Sequence, residues 1–280
     1  MGRFDGVLLA SDFDNTLVYT AEALRTDSPV PPLAEENRSA LEYFMAEGGK
    51  FAVATGRALT AFRRYAKTIP MNAPGVVCNG AALYDFAREE YLDFAMLEGN
   101  VRQRGQAVLD AFPQVAVEAY HIDNVIHAVH PNHYTRQHEH ITKVAVTEAP
   151  SLLDVPLPLG KLLFEAENPS LMQIMAIMRE NGWDKDYELV CSTTYLLEVT
   201  AKGATKGGMV QRLAKRLGIS MEHVYCAGDE SNDISMLTVA KEGFAPANCT
   251  EAVRACGATI VADAEHDALA EIIDILDKRY

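Results

Sequence analysis

The stretch that decides the fold is LLASDFDNTL, residues 8–17. An apolar run stops in two aspartates, Asp12 and Asp14, with one residue between them. Short apolar runs of this kind read as buried strands of a parallel sheet. Such strands present ligands and catalytic groups just past their carboxyl ends. Side chains two apart on an extended segment share a side, so the two carboxylates converge. They repel unless a cation or a shared proton offsets them, which is a first pointer to a bound metal. The competing reading is a strand that ends in an Asx-rich polar turn, with Thr16 capping the next element.

Outward from this stretch, residues 19–33 are broken by Pro29, Pro31 and Pro32 and read as a loop. Residues 34–47 have apolar positions near helical spacing, closed by Gly48 and Gly49. Residues 51–54 form a second apolar run ending in Thr55-Gly56-Arg57. A helix is expected over 58–68, and a third strand over 75–78 ends in Asn79-Gly80. This β-α-β-α-β order, polar at each strand end, predicts an α/β fold with a doubly wound parallel sheet.

From Ala82 the rhythm changes. A hairpin across 82–94, helices over 101–112 and 170–181, and strands at 115–119, 125–130, 159–166 and 187–191 predict an α+β unit with an antiparallel sheet. The first rhythm is expected to return at 196–199. It continues through a helix over 206–217, a strand over 224–227 that ends in Gly228-Asp229, and short alternating elements to Lys278. The expected organisation is a Rossmann-like core of residues 1–84 and 193–280, with an inserted α+β cap at 85–192.

Composition narrows the function. Apolar content of 49% and charged content of 23% are globular values. A net charge of -14 disfavours nucleic acid and anionic membrane surfaces, which need a positive field. An anionic substrate would therefore need its own cation and lysine in the site. The cysteines (Cys78, Cys191, Cys226, Cys249, Cys256) are odd in number and form no CxxC pair. Free thiols in a reducing cytoplasm are expected. No run approaches the ~20 apolar residues of a membrane span, and no secretory leader pattern opens the sequence.

Four distant segments need one explanation: Asp12 with Asp14; Thr55-Gly56-Arg57; Lys206 with Gly207 and Gly208; and Gly228-Asp229-Glu230-Ser231-Asn232-Asp233. The carboxyl ends of parallel strands share one sheet edge, so these groups can meet in one crevice. They offer carboxylates for a hard cation, a hydroxyl and N–H groups for an anion, and a lysine. Mg²⁺ favours one or two carboxylates, water and a substrate phosphate oxygen. The inventory describes a phosphoryl-transfer site.

These residues resemble the haloacid dehalogenase (HAD) superfamily. DFDNT matches its DxDxT motif, and ATGR matches its second motif as found in Cof-type members of subclass IIB. Lys206 with Gly207 is similar to the third motif, and GDESND matches GDxxND. The gap between the second and third is where that subclass carries its cap. One departure is Asn15, where glycine is commoner.

The resemblance implies a Mg²⁺-dependent phosphatase of a small phosphorylated metabolite, a sugar phosphate or a cofactor phosphate, working through an aspartyl-phosphate. A phosphomannomutase-like phosphotransferase and a catalytically inactive binding module are the alternatives. It implies Asp12 as nucleophile and Asp14 as general acid and base. Lys206 would balance charge, and Thr55, Gly56 and Asn232 would join it in contacting phosphate. Asp12, Asp229 and the backbone carbonyl of Asp14 would hold the metal. Asp233 and Arg57 would stand behind these groups, and Asn79 and Gly80 are candidates for substrate contact at the core–cap seam. Lys202 competes with Lys206, but Lys206 opens a helix after a strand.

Two features stay outside this scheme. Six histidines lie between His121 and His140; without HExxH or CxxC spacing they read first as a solvated cap surface and second as a cap face that recognises polar substrate groups. Met172, Met175 and Met178 recur every three residues and read as helix core.

Overall fold

The computed structural model describes residues 2–280. Its strands are β1 (Leu8–Ser11), β2 (Lys50–Val53), β3 (Gly75–Val77), β4 (Ala82–Asp85), β5 (Glu90–Phe94), β6 (Ala116–His121) and β7 (Ile126–Val129). After these come β8 (Thr147–Glu148), β9 (Leu159–Glu165), β10 (Tyr187–Thr193), β11 (Leu196–Ala201), β12 (Val224–Ala227), β13 (Glu242–Pro246) and β14 (Thr259–Val261).

A parallel sheet has the order β14-β13-β12-β1-β2. Both faces are covered, which is why β1 has no polar alternation. Leu9 and Phe51 pack on one side with Phe44 and Leu269, from helices Glu35–Ala46 and Ala268–Asp277. Leu8, Ala10, Ala52 and Cys226 pack on the other with Met209 and Leu213, from helix Lys206–Leu217. Each buried leucine contributes about 1.5–3 kcal/mol relative to exposure. The doubly wound α/β core is therefore as expected.

A second sheet has the order β10-β11-β9-β6-β7-β8 and is antiparallel except at β7–β8. Helices Val101–Ala111 and Asn168–Glu180 bury Val108, Leu171 and Met178 against its Val117, Leu162 and Val199.

Three local expectations fail. The 196–199 segment does not return to the parallel sheet: β11 pairs antiparallel with β9 and β10. Leu197 and Val199 face the unit's own core while Glu198 and Thr200 are buried on the other face, so a two-sided strand was read as a parallel one. The third strand, β3, joins β2 only through a parallel bridge at Ala54–Val76 and pairs instead with the β4–β5 hairpin. Residues 19–33 are not all loop, because Ala21–Thr26 is helical. Of the methionine triplet, Met175 and Met178 are buried and Met172 is exposed. No helix among the described residues is long and apolar enough to cross a membrane.

Candidate active site

Asp12 follows β1 directly, its N–H donating to the Ala227 carbonyl at 2.8 Å. This locks the carboxyl ends of β1 and β12 side by side. Lys206 opens its helix behind Thr205, whose hydroxyl accepts the Gly208 N–H at 3.0 Å. From there its Nζ donates to Asp12 Oδ1 at 2.7 Å and to Asp233 Oδ1 at 2.5 Å. The other Asp233 oxygen accepts the Asp229 and Glu230 N–H groups, each at 3.0 Å. Asp229 Oδ1 accepts the Thr16 hydroxyl at 2.8 Å. Thr16 is thus no helix cap; it orients Asp229. Lys202, the rival lysine, pairs with Glu188 at the surface.

Charge is unbalanced here. Asp12, Asp229 and Asp233 bring carboxylate oxygens within 4.8 Å of one another, all buried. Lys206 is the ammonium among them. Burial pushes the Asp12 carboxyl up to about 7 against the pull of Lys206, with Asp233 and Asp14 adding repulsion. Burial, Asp12 and Asp233 push Asp229 up to about 9. A cluster of hard oxygens short of positive charge fits a divalent cation such as Mg²⁺.

Asp14 is held apart from that cluster. Arg57 donates from Nε to Oδ2 and from Nη2 to Oδ1, both at 2.7 Å, and the Thr20 hydroxyl adds a bond at 2.8 Å. Burial would raise the Asp14 carboxyl, but the Arg57 bonds and charge outweigh it and hold it below its usual range. The guanidinium lies over the Phe13 and Tyr65 rings, 5.3 and 5.0 Å from their centroids. Arg57 therefore touches Asp14 directly rather than standing behind it. Asn15 has φ of 55°, and its side-chain oxygen accepts the Thr20 and Ala21 N–H groups.

Thr55 is fully buried, its hydroxyl accepting the Arg57 N–H at 3.1 Å. Gly56 lines the crevice, where a Cβ would come 2.9 Å from Asn79 Oδ1. Asn232 donates to that Asn79 oxygen at 2.8 Å, and Asn79 donates to Glu198 Oε1 at 2.6 Å. Asn79 is thus a bridge across the seam. Gly80 is not at the crevice: a Cβ there would meet the Thr205 carbonyl at 2.2 Å, so it lets two backbones approach.

A cavity of about 280 Å³ lies between Asp12, Asp14, Gly56, Arg57 and Asp229 on one side and Tyr120, Lys161, Leu163, Tyr195 and Glu198 on the other. The second group was not foreseen. Nor was His138, on helix His133–Thr142. His130, His133 and His140 are exposed as expected, but His138 turns inward with its Nδ1 2.9 Å from Glu118 Oε2 and 3.8 Å from Glu165 Oε1. Glu118, His138 and Glu165 form a second cluster with ligand-like spacing. Burial and Glu118 push the Glu165 carboxyl up to about 8. The carboxylates Glu118 and Glu165 hold His138 raised against the opposing effect of its burial.

Both shifts act in the same direction. A carboxyl raised in the folded state contributes stability below its unfolded value, lost as pH rises toward 8. A raised histidine likewise contributes below its unfolded value and loses that contribution as pH rises through its folded one. The melting temperature should therefore fall from pH 5 to pH 8.5. Glu165→Gln should flatten that fall by roughly 2–5 °C, as read by thermal melts across the range. An unchanged slope would rule Glu165 out as the source.

The chain belongs to the haloacid dehalogenase-like hydrolase family, whose family model spans residues 9–273. It is 23% identical to pyridoxal phosphate phosphatase YbhA of Escherichia coli over 289 residues, 95% of this chain and 97% of that one. It is also 23% identical to 5-amino-6-(5-phospho-D-ribitylamino)uracil phosphatase YcsE of Bacillus subtilis, over 88% of this chain and 86% of that one. Among solved structures it shares the fold of BT1666 from Bacteroides thetaiotaomicron, with a TM-score of 0.80 at 17% identity over 98% and 96% of the two chains. The subclass IIB sugar phosphatase BT4131 superposes with a TM-score of 0.78 at 20% identity over 96% and 98%.

Proposed function

We propose that this protein is a phosphoric monoester hydrolase that releases phosphate from a small phosphorylated metabolite through an aspartyl-phosphate. The observation that supports it most is the meeting of Asp12, Asp14 and Asp229 at one crevice, with buried Lys206 on one oxygen of Asp12. That bond leaves Oδ2 of Asp12 as the attacking oxygen. It would form a bond to phosphorus in line as the ester P–O bond breaks. Asp14 would give the departing oxygen its proton, then take one from the water that attacks the acyl-phosphate, returning Asp12 and inorganic phosphate. Because Arg57 holds Asp14 ionised, the first transfer requires Asp14 to gain a proton as substrate enters, while the second finds it ready as a base. Thr55 and Gly56, with Asn232, would contact phosphoryl oxygens.

Asp12, Asp229 and the Asp14 carbonyl would hold Mg²⁺, with Asp233 fixing Lys206 behind them. A bound Mg²⁺ offsets the charge of the phosphoryl oxygens. The core–cap division is proposed to extend past Ser192 to Ala201, since β11 lies within the antiparallel sheet. The free thiols are compatible with a reducing cytoplasm. Sugar phosphates and cofactor phosphates are the substrate classes proposed from the family resemblance.

Phosphate release from a panel of small phosphomonoesters tests the reading. The expected result is release with at least one ester, abolished by EDTA and restored by Mg²⁺. Transfer to a second hydroxyl without release would favour the phosphomannomutase-like reading, and no turnover of any ester would favour a binding module.

A further inference from the structure

The antiparallel sheet has two unlike faces. Val117, Leu162 and Val199 serve its own core. The opposite face carries a separate buried cluster of Tyr120, Ile126, Leu163 and Leu196, against which Tyr195, Val144 and Ala58 pack. Strand register sets Tyr120 beside Lys161 and Leu163 between Glu118 and Glu198. All four cluster residues line the cavity that holds Asp12 and Asp14. Folding the sheet does not by itself require an apolar patch there, so the patch is available to a ligand.

Within it sits one cation. Lys161 has a side-chain exposure of 3%, with Nζ 3.1 Å from Glu198 Oε2 and 4.3 Å from the centre of the Tyr120 ring. Glu198 is further held by Asn79. An ammonium has three hydrogens, and Glu198 is the one carboxylate paired with it, so Lys161 keeps donors for a ligand oxygen. Neutral hydroxyls on Ser192, Thr193 and Thr142 also line the cavity, the Ser192 oxygen being buried. A polyol would set several hydroxyls against Leu163, Ile126 and Leu196, where each would lose water without gaining a partner. A flat ring would lose nothing there.

We propose that the leaving alcohol is a planar aromatic or heteroaromatic ring, seated on Tyr120, Leu163 and Leu196, with an anionic or strongly accepting ring oxygen on Lys161. This rests on the phosphatase reading and narrows it from cofactor or sugar phosphates to ring phosphates. A cavity of about 280 Å³ suits one ring and its phosphate.

The test compares pyridoxine 5′-phosphate with glucose 6-phosphate. Both are phosphates of a primary alcohol, so the chemistry at phosphorus is matched, and the former has no aldehyde to condense with Lys161. The expected result is a kcat/KM about 100-fold or more in favour of the pyridine ester. In Lys161→Met, kcat/KM for pyridoxine 5′-phosphate should fall about 10- to 100-fold, mostly through KM. The fall for phenyl phosphate, which has the ring without the accepting oxygen, should be at least about tenfold smaller. Glucose 6-phosphate within tenfold of the pyridine ester, or equal falls for both ring esters, would overturn the proposal. The wild-type comparison stands even if the variant fails to fold. Release from glucose 6-phosphate alone would leave the phosphatase reading standing and sink only the ring. Release from none of the three would sink the ring, and the wider panel of phosphomonoesters would then decide the phosphatase reading.

Discussion

Asp12→Asn should lower phosphate release by about 10⁴-fold or more while the protein stays folded. The amide keeps the size of the carboxylate but is not a nucleophile, so the loss would be chemical and not steric. The fold should tolerate it, because Lys206 retains Asp233 as partner. One of three crowded, buried carboxylates is also removed, and with it part of the repulsion that adds to burial in pushing Asp229 up to about 9. In EDTA at pH 8 the melting temperature should match or exceed that of the wild type. Release with the best ester at more than about 1% of the wild-type rate would mean that another group attacks phosphorus.

Lys206→Met should do the reverse and damage the fold first. Its ammonium is the hydrogen-bond donor to both Asp12 Oδ1 and Asp233 Oδ1, and all three side chains are buried. The Arg57 guanidinium is committed to Asp14. Removing one member of a buried ion pair leaves an uncompensated charge and costs about 3–5 kcal/mol. Urea denaturation in EDTA at pH 8 should register that loss, and adding Asp233→Asn to Lys206→Met should recover part of it. If the single variant is as stable as the wild type, the Lys206 ion pairs do not hold the metal-free fold together.

The parallel sheet and its strand-end residues were legible because their chemistry follows from the sheet itself. Apolar runs covered on both faces announce burial, and their polar termini fall on one edge. What could not be read was the wall opposite. Glu118, Lys161, Glu165 and Glu198 stand at alternate positions of half-apolar strands, the pattern of a sheet with one wet face. The ordinary inference is solvent, and here that face covers the crevice. A usable signal did exist: Glu118, Glu165 and Glu198 have apolar neighbours on both sides in sequence, in AVEAY, GKLLFEAE and LLEVT, and Lys161 stands between Gly160 and Leu162. His138 gave no such signal, since its inward turn depends on Glu118 and Glu165 from other strands. The 196–199 error came from the same source, a four-residue window too short to separate a run from an alternation.

Asn15 shows which letters of such a site are free to change. It sits between Asp14 and Thr16, touches no charge, and holds a backbone turn at φ 55°. Glycine reaches that angle freely, and asparagine reaches it with the gain of two accepted N–H bonds. The two residues are alternative spellings of one dihedral. The side chains on either side are spent differently, Asp14 on Arg57 and Thr16 on Asp229.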